Sequence, residues 1–93
     1  MNLSAADLAA DVLRWDAEQK LLRLGMQLDA IDIDSTLREN NSLLLVLRPV
    51  GLPVAVTVAG QGAYFSWRES EMRHPADDAK GAAAALARYI AGA

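Results

Sequence analysis

His74 is the only histidine in the chain, and histidine is the side chain best suited to acid–base chemistry near neutral pH. As a general base it would need a nucleophile within hydrogen-bond reach and a third group to hold its ring. Asp77 or Asp78 could hold the ring, and Ser66 or Ser70 could be the nucleophile, but no nucleophile-elbow or oxyanion-loop sequence accompanies them. The position before a predicted helix favours a capping or surface role for His74. We therefore expect no catalytic residue and no enzyme activity.

Three aspartates, Asp29, Asp32 and Asp34, lie close together in the sequence and could suggest a metal site. A calcium loop needs oxygen ligands at alternate positions, a central glycine and a distal glutamate, and this spacing does not provide them. The chain has no cysteine, which excludes disulfides, thiolate catalysis and thiolate metal ligands. We expect no metal and no other cofactor, and we interpret the aspartates as solvated acids on an edge strand, where charge discourages unwanted strand pairing.

Arg48 and Arg68 are the candidate ligand-binding residues. In the strand register derived below, both flank Pro53 on the outer face of a sheet, ~10 Å apart. With Tyr64 and Ser66 nearby, the two guanidinium groups could hold a carboxylate or a phosphate, for which arginine is the suited side chain. The alternative is two solvated arginines at strand ends.

The stretch Ser42–Trp67 predicts the strands that would position these side chains. Apolar, β-branched and aromatic residues alternate along it, and proline- and glycine-containing turns interrupt it. The predicted strands are Leu43–Leu47, Val54–Val58 and Ala63–Trp67, with turns at Arg48–Pro53 and Gly60–Gly62.

The lengths of the two turns predict the register. A two-residue turn at Gly60 and Gln61 pairs Val56 with Phe65, and a four-residue loop between Arg48 and Pro53 pairs Leu45 with Val56. Directly opposed residues share a face of the sheet. The predicted inner face is therefore Leu43, Leu45, Leu47, Val54, Val56, Val58, Ala63, Phe65 and Trp67.

The other face of this predicted sheet is mixed rather than polar. It carries Leu44, Val46 and Tyr64, with the small residue Thr57 among them. A partly apolar patch with a polar rim often marks an interface, although an exposed apolar sheet face is the alternative. We expect these four residues to form a protein contact surface, so that Val46→Asp would weaken self-association and leave the fold intact.

Two helices flank the strands. The first is predicted from a Ser4 cap to about Leu24, with Gly25 as its stop. It has two apolar stripes on roughly opposite sides. The bulky stripe is Leu8, Val12, Trp15 and Leu22, and the small-residue stripe is Ala6, Ala10, Leu13, Ala17 and Leu24. We expect the bulky stripe to lie on the sheet and the small stripe on the second helix. Contact of one stripe with a second subunit is the alternative.

The remaining segments complete one domain over residues 1–93. Gly25–Asp34 is predicted as a bulged edge strand, Ser35–Asn41 as a loop and Arg68–His74 as a connection. The last helix is predicted at Ala76–Ala91, with Pro75 at its first position. The predicted fold is α+β: a helix, a four-stranded antiparallel β-meander and a helix, with the two helices on one face of the sheet.

The C-terminal part of the chain resembles a family of small actinobacterial proteins. The similarity consists of a strand ending Phe65-Ser66-Trp67, the helix entry His74-Pro75-Ala76-Asp77-Asp78 and an alanine-rich helix ending Tyr89-Ile90. The order of elements is also similar to the compact secretion-chaperone fold, whose members are small, acidic and dimeric. These resemblances imply an architecture and no activity, because fold does not define function.

The composition and charge of the chain limit the classes of partner that we expect it to bind. The chain has 93 residues and a net charge of −3, without the basic excess that nucleic-acid binding by phosphate neutralisation requires. The N-terminus lacks the features of a signal peptide, and no apolar run approaches the ~20 residues of a membrane span. We therefore expect a cytoplasmic, non-enzymatic protein-interaction or regulatory module, homodimeric and with an unidentified protein partner, that binds neither nucleic acid nor membrane. The alternative is a binder of an anionic small molecule or peptide.

Overall fold

The computed structural model describes residues 5–68 and 71–92, with side chains from residue 12 onward. Its elements are helix α1 (Ala5–Asp29), strands β1 (Ser35–Arg38), β2 (Leu43–Val46), β3 (Val54–Ala59), β4 (Tyr64–Trp67) and β5 (Met72–Pro75), and helix α2 (Ala79–Gly92). The strands form one antiparallel meander in the order β1-β2-β3-β4-β5. The predicted α+β class and helix–sheet–helix order are confirmed, but the sheet has five strands rather than four.

The first error in the strand count comes from the end of α1. The predicted strand Gly25–Asp34 is wrong, because α1 continues to Asp29 and a turn follows. In this turn the Ile33 N–H donates to the Leu28 carbonyl at 2.9 Å, and the Asp32 N–H donates to the Asp29 carbonyl at 3.0 Å. Asp32 has a positive φ of 63°, which this helix-ending motif requires at the residue before its last one, Ile33.

Gly25 lies inside α1 and serves close packing rather than helix termination. A Cβ atom at this position would lie 3.3 Å from the Ser35 hydroxyl oxygen and 3.9 Å from Leu44 Cδ1. The missing side chain therefore lets α1 approach β1 and β2. Ser35, predicted to begin a loop, instead begins β1 at this point of contact.

The β2–β3 register differs from the prediction by one residue. Val46 pairs with Val54 and Leu44 with Val56, which puts Leu44 and Val46 on the inner face. The physical reason is the connection: it spans residues 47–53, which is longer than the predicted four-residue loop. Because side chains alternate along a strand, this slip moves the apolar set of β2 to the opposite face.

The β3–β4 hairpin differs from its predicted register by two residues, and this preserves its faces. Val58 pairs with Phe65 and Thr57 with Ser66, around a four-residue connection instead of two. Val56, Phe65 and Trp67 therefore point to the helices, as predicted.

The fifth strand was predicted as part of a charged connection. In β5, Met72 pairs with Trp67 and His74 with Phe65. Pro75 ends this strand, so the prediction that it opens the last helix is wrong. The last helix begins at Ala79 instead. Ser4, the predicted cap of the first helix, and Ser70 lie outside the described residues.

Both helices pack on the inner face of the sheet around one core. The helix residues in this core are Leu21, Leu24 and Leu28 of α1 and Ala82, Ala83 and Leu86 of α2. The helices run in the same direction. α1 ends at the end of the sheet where the Leu47 N–H donates a hydrogen bond to the Asp34 carbonyl. α2 begins after the opposite end of the sheet, where the Ala76 N–H donates to the Ala63 carbonyl.

Candidate functional site

The side of α1 turned away from the core carries bulky apolar residues that nothing in the described chain covers. Val12 is 65% exposed, Trp15 62%, Leu22 40% and Met26 70%. We call Val12, Trp15, Leu22 and Met26 the α1 stripe. Three of them belong to the bulky stripe predicted to lie on the sheet, and that prediction is wrong, because the sheet is covered by Leu21, Leu24 and Leu28 instead.

The first turns of α1 extend past the sheet. Lys20 Nζ donates to the Gly62 carbonyl at 2.8 Å, and the Asn41 side-chain amide donates to Glu18 at 3.1 Å. These two bonds hold the middle of α1 over the turns at one end of the sheet. Residues 12–15, which precede this point, are exposed on every side of the helix. We call residues 12–15 the overhang. Because a short helical segment is only marginally stable in water without tertiary packing, the overhang is suited to binding another surface.

A groove lies beside the α1 stripe, between α1 and the edge strand β1. It has a volume of about 410 Å³, and its apolar walls include Leu22, Met26, Ile33 and Leu37. Among the described strands β1 pairs with β2 alone, so one side of its backbone has no strand beside it in the described part of the chain. The exposed stripe, the groove and the free edge form one continuous surface.

The predicted contact surface on the outer sheet face is not assembled. Leu44 and Val46 are buried in the core, with exposures of 2% and 0%. Thr57 is exposed on the outer face as predicted. Tyr64 is half-buried, and the Arg73 guanidinium carbon lies 4.9 Å from the centre of its ring.

Arg48 and Arg68 do not form a joint anion site. Arg68 pairs with Glu71 through its Nε atom at 3.1 Å. Arg48 folds over Gly51 and lines a separate cleft of about 700 Å³ on the helix side of the sheet.

The Arg48 cleft has an electrostatic character that opposes an anionic ligand. The Arg48 Nε atom is buried without a hydrogen-bond partner among the described residues. However, Asp32 and Asp34 line the same cleft, as do Ala87 and Ile90 near the end of α2. Carboxylates and the negative end of a helix dipole both disfavour an anion. Arg48 at this position is a cation that offsets nearby negative charge, and the cleft supports the ligand-binding alternative only weakly.

His74 lies at the entry to α2, as the sequence suggested, where it contacts the capping residue rather than forming the cap itself. Its Nε2 atom lies 2.9 Å from Asp78 Oδ2, and Asp78 Oδ1 accepts a hydrogen bond from the Gly81 N–H at 3.0 Å. Asp78 therefore caps the start of α2 while it contacts His74. Any side chain at Gly81 would collide with the Asp78 carboxylate and the His74 ring. Ser66 pairs with Arg73, the neighbour of His74, so its side chain points to the opposite face of the sheet and cannot act as the nucleophile.

Asp78→Asn tests this cap. The hydrogen bond from His74, followed by the one from the Gly81 N–H, lowers the pKa of Asp78 from its ordinary 3.8. A lowered pKa in the folded state means that the interaction stabilises the protein fully above the ordinary pKa of 3.8. This stabilisation is lost as the pH falls through the lowered pKa. Asn retains the capping oxygen but has no charge. We expect the wild type to lose more stability than Asp78→Asn between about pH 7 and about pH 3, measured by urea unfolding. Asp77→Asn is the control, and parallel profiles for wild type and Asp78→Asn would contradict the prediction.

The described part of the chain contains no further candidate for a metal site or a membrane span. No group of three or more histidine, cysteine, aspartate or glutamate side chains in the described part of the chain could hold a metal ion. Neither described helix contains an apolar stretch of the length that a membrane span requires. Comparison with protein-family models, curated proteins and solved structures gives no match.

Proposed function

We propose that this protein is a non-enzymatic protein-interaction module, of a regulatory or chaperone-like kind, that acts as a homodimer through the α1 stripe. The observation that carries the proposal is the exposure of Val12, Trp15, Leu22 and Met26 along one side of a single helix. Burying a large apolar side chain completely is worth about 1.5–3 kcal/mol. Contiguous exposed apolar surface of this kind is typical of interaction sites.

The geometry of the polar residues supports a binding role rather than catalysis. The ring of His74 is occupied by the Asp78 cap, and Ser66 points to the other side of the sheet. The contact surface differs from the one expected on the outer sheet face, because two of the four residues assigned to that face belong to the core.

Met26→Glu tests the proposal. Met26 is the most exposed member of the α1 stripe, and glutamate is a good helix former, so the monomer fold should tolerate the change. We expect the wild type to have a solution mass of about twice the 10.0 kDa chain by light scattering. A charge buried in an apolar contact costs several kcal/mol, so Met26→Glu should weaken association by about 100-fold or more in a dilution series.

Leu52→Glu is the matched control, because Leu52 is 80% exposed in the β2–β3 connection and lines neither the groove beside α1 nor the Arg48 cleft. We expect this variant to dimerise like the wild type. Circular dichroism should show the same helix content for all three proteins. A wild type that is monomeric at every concentration would contradict the proposed homodimer. Equal effects of the two variants on association would show that α1 is not the dimer surface.

A further inference from the structure

We propose that the two α1 helices of the dimer pack antiparallel, so that the overhang of each copy lies against the groove between α1 and β1 of the other. This inference rests on the proposed homodimer and specifies its geometry. It follows from the spacing of the α1 stripe, from the charges beside it and from the length of the overhang.

The spacing of the α1 stripe is that of a helix-pairing surface. Val12, Trp15, Gln19, Leu22 and Met26 follow one another at alternating intervals of three and four residues. This is the heptad pattern of two helices packed side by side, with one polar member at Gln19. Within the chain, α2 packs on the core side of α1, through Ala82, Ala83 and Leu86. The partner with a matching exposed stripe is therefore α1 of a second copy.

Antiparallel packing places unlike charges together. When Trp15 of one copy meets Met26 of the other, Gln19 meets Leu22 near the two-fold axis. In this register Asp16 lies beside Arg23 of the second copy, and symmetry repeats the contact. Parallel packing in register would also join unlike charges, Arg23 with Glu18, and would leave Asp16 away from Arg23. It would, however, place each overhang against the other overhang and leave both grooves open, so the charges and the overhang together favour the antiparallel arrangement. Trp15 with Met26 is also a favourable sulfur–aromatic pair.

The length of the overhang matches this arrangement. The two-fold axis falls between residues 20 and 21, and at 1.5 Å per residue Val12 and Asp29 are each ~13 Å from it. The overhang of one copy therefore reaches the end of α1 in the other, where Met26, Ile33 and Leu37 form the groove wall. Each overhang gains the packing that its own sheet does not provide, and each groove is completed by the second copy.

Charge reversal tests the orientation. Asp16→Arg and Arg23→Asp should each weaken the dimer by about tenfold, because each creates two like-charge contacts across the interface. The double variant restores the unlike pairs in an antiparallel dimer, and its dissociation constant should return to within about threefold of the wild type. Two single losses without restoration in the double variant would overturn the antiparallel register.

Asp16 also pairs with Lys20 of its own chain at 2.6 Å, so a control is needed for that local contact. Asp16→Asn breaks the local pair without introducing repulsion, and it should weaken the dimer less than Asp16→Arg. Urea unfolding of each variant separates effects on association from effects on the fold.

Disulfide formation gives a second readout, because the chain has no cysteine of its own. A mixture of W15C and M26C copies should form a cross-linked heterodimer on oxidation, whereas W15C alone should not. Cross-linking of W15C alone would show parallel helices and overturn this inference, while the proposed homodimer would stand. A wild type that stays monomeric would remove both.

Discussion

Val46→Asp is expected to unfold the protein. Val46 is fully buried in β2, paired with Val54 and surrounded by the core that both helices cover. The substitution removes a buried apolar side chain, which is worth about 1.5–3 kcal/mol, and adds a carboxylate that costs several kcal/mol without a partner. A domain of this size is stable by roughly 5–15 kcal/mol, toward the lower end when its core is small. The destabilisation is therefore comparable to the whole free energy of unfolding.

Leu45→Asp is the matched control, because Leu45 is the adjacent residue, half-buried on the other face of the sheet. We expect it to cost only about 1 kcal/mol, the range of strand propensities. Circular dichroism and urea titration of both variants give the measurement. The register expected from the sequence predicts the opposite result, a Val46→Asp protein that folds but associates less tightly. A folded Val46→Asp protein would therefore contradict the observed register.

Leu24→Ala and Leu22→Ala should separate folding from association, because the first should destabilise the fold and the second should weaken the dimer. Leu24 is fully buried between α1 and the sheet, so its truncation leaves a cavity and should lower the free energy of unfolding by about 3–5 kcal/mol. Leu22 is 40% exposed and lines the groove between α1 and β1, so Leu22→Ala should cost less than about 1 kcal/mol in monomer stability. It should nevertheless weaken the dimer.

The two variants should be compared at protein concentrations below and above the dissociation constant, because dimerisation adds to apparent stability. Under dissociating conditions only Leu24→Ala should shift the urea midpoint strongly. Under associating conditions Leu22→Ala should also fall behind the wild type. If Leu22→Ala were the more damaging variant for the monomer, the bulky stripe would be facing the sheet after all.

Part of the fold was predictable because its signals are local. β3 and β4 alternate apolar with small or polar residues, so their inner faces follow from period two whatever the exact turn length. The alanine-rich pattern after Asp78 identifies α2 for the same reason. The bulky stripe of α1 was also visible in the sequence, and its continuation through Gln19 to Met26 is the heptad pattern from which we propose that it pairs with another helix.

The α+β class, the strands β2 to β4, the two helices and the lack of cysteine chemistry all follow from local sequence patterns and composition. Tertiary structure decided which face of β2 is buried, because Leu43–Leu47 is apolar at every position and carries no alternation to select a register. It also decided which side of α1 meets the sheet. Both sides are apolar, and the choice depends on the close approach that Gly25 allows beside Ser35 and Leu44, a contact between segments distant in sequence.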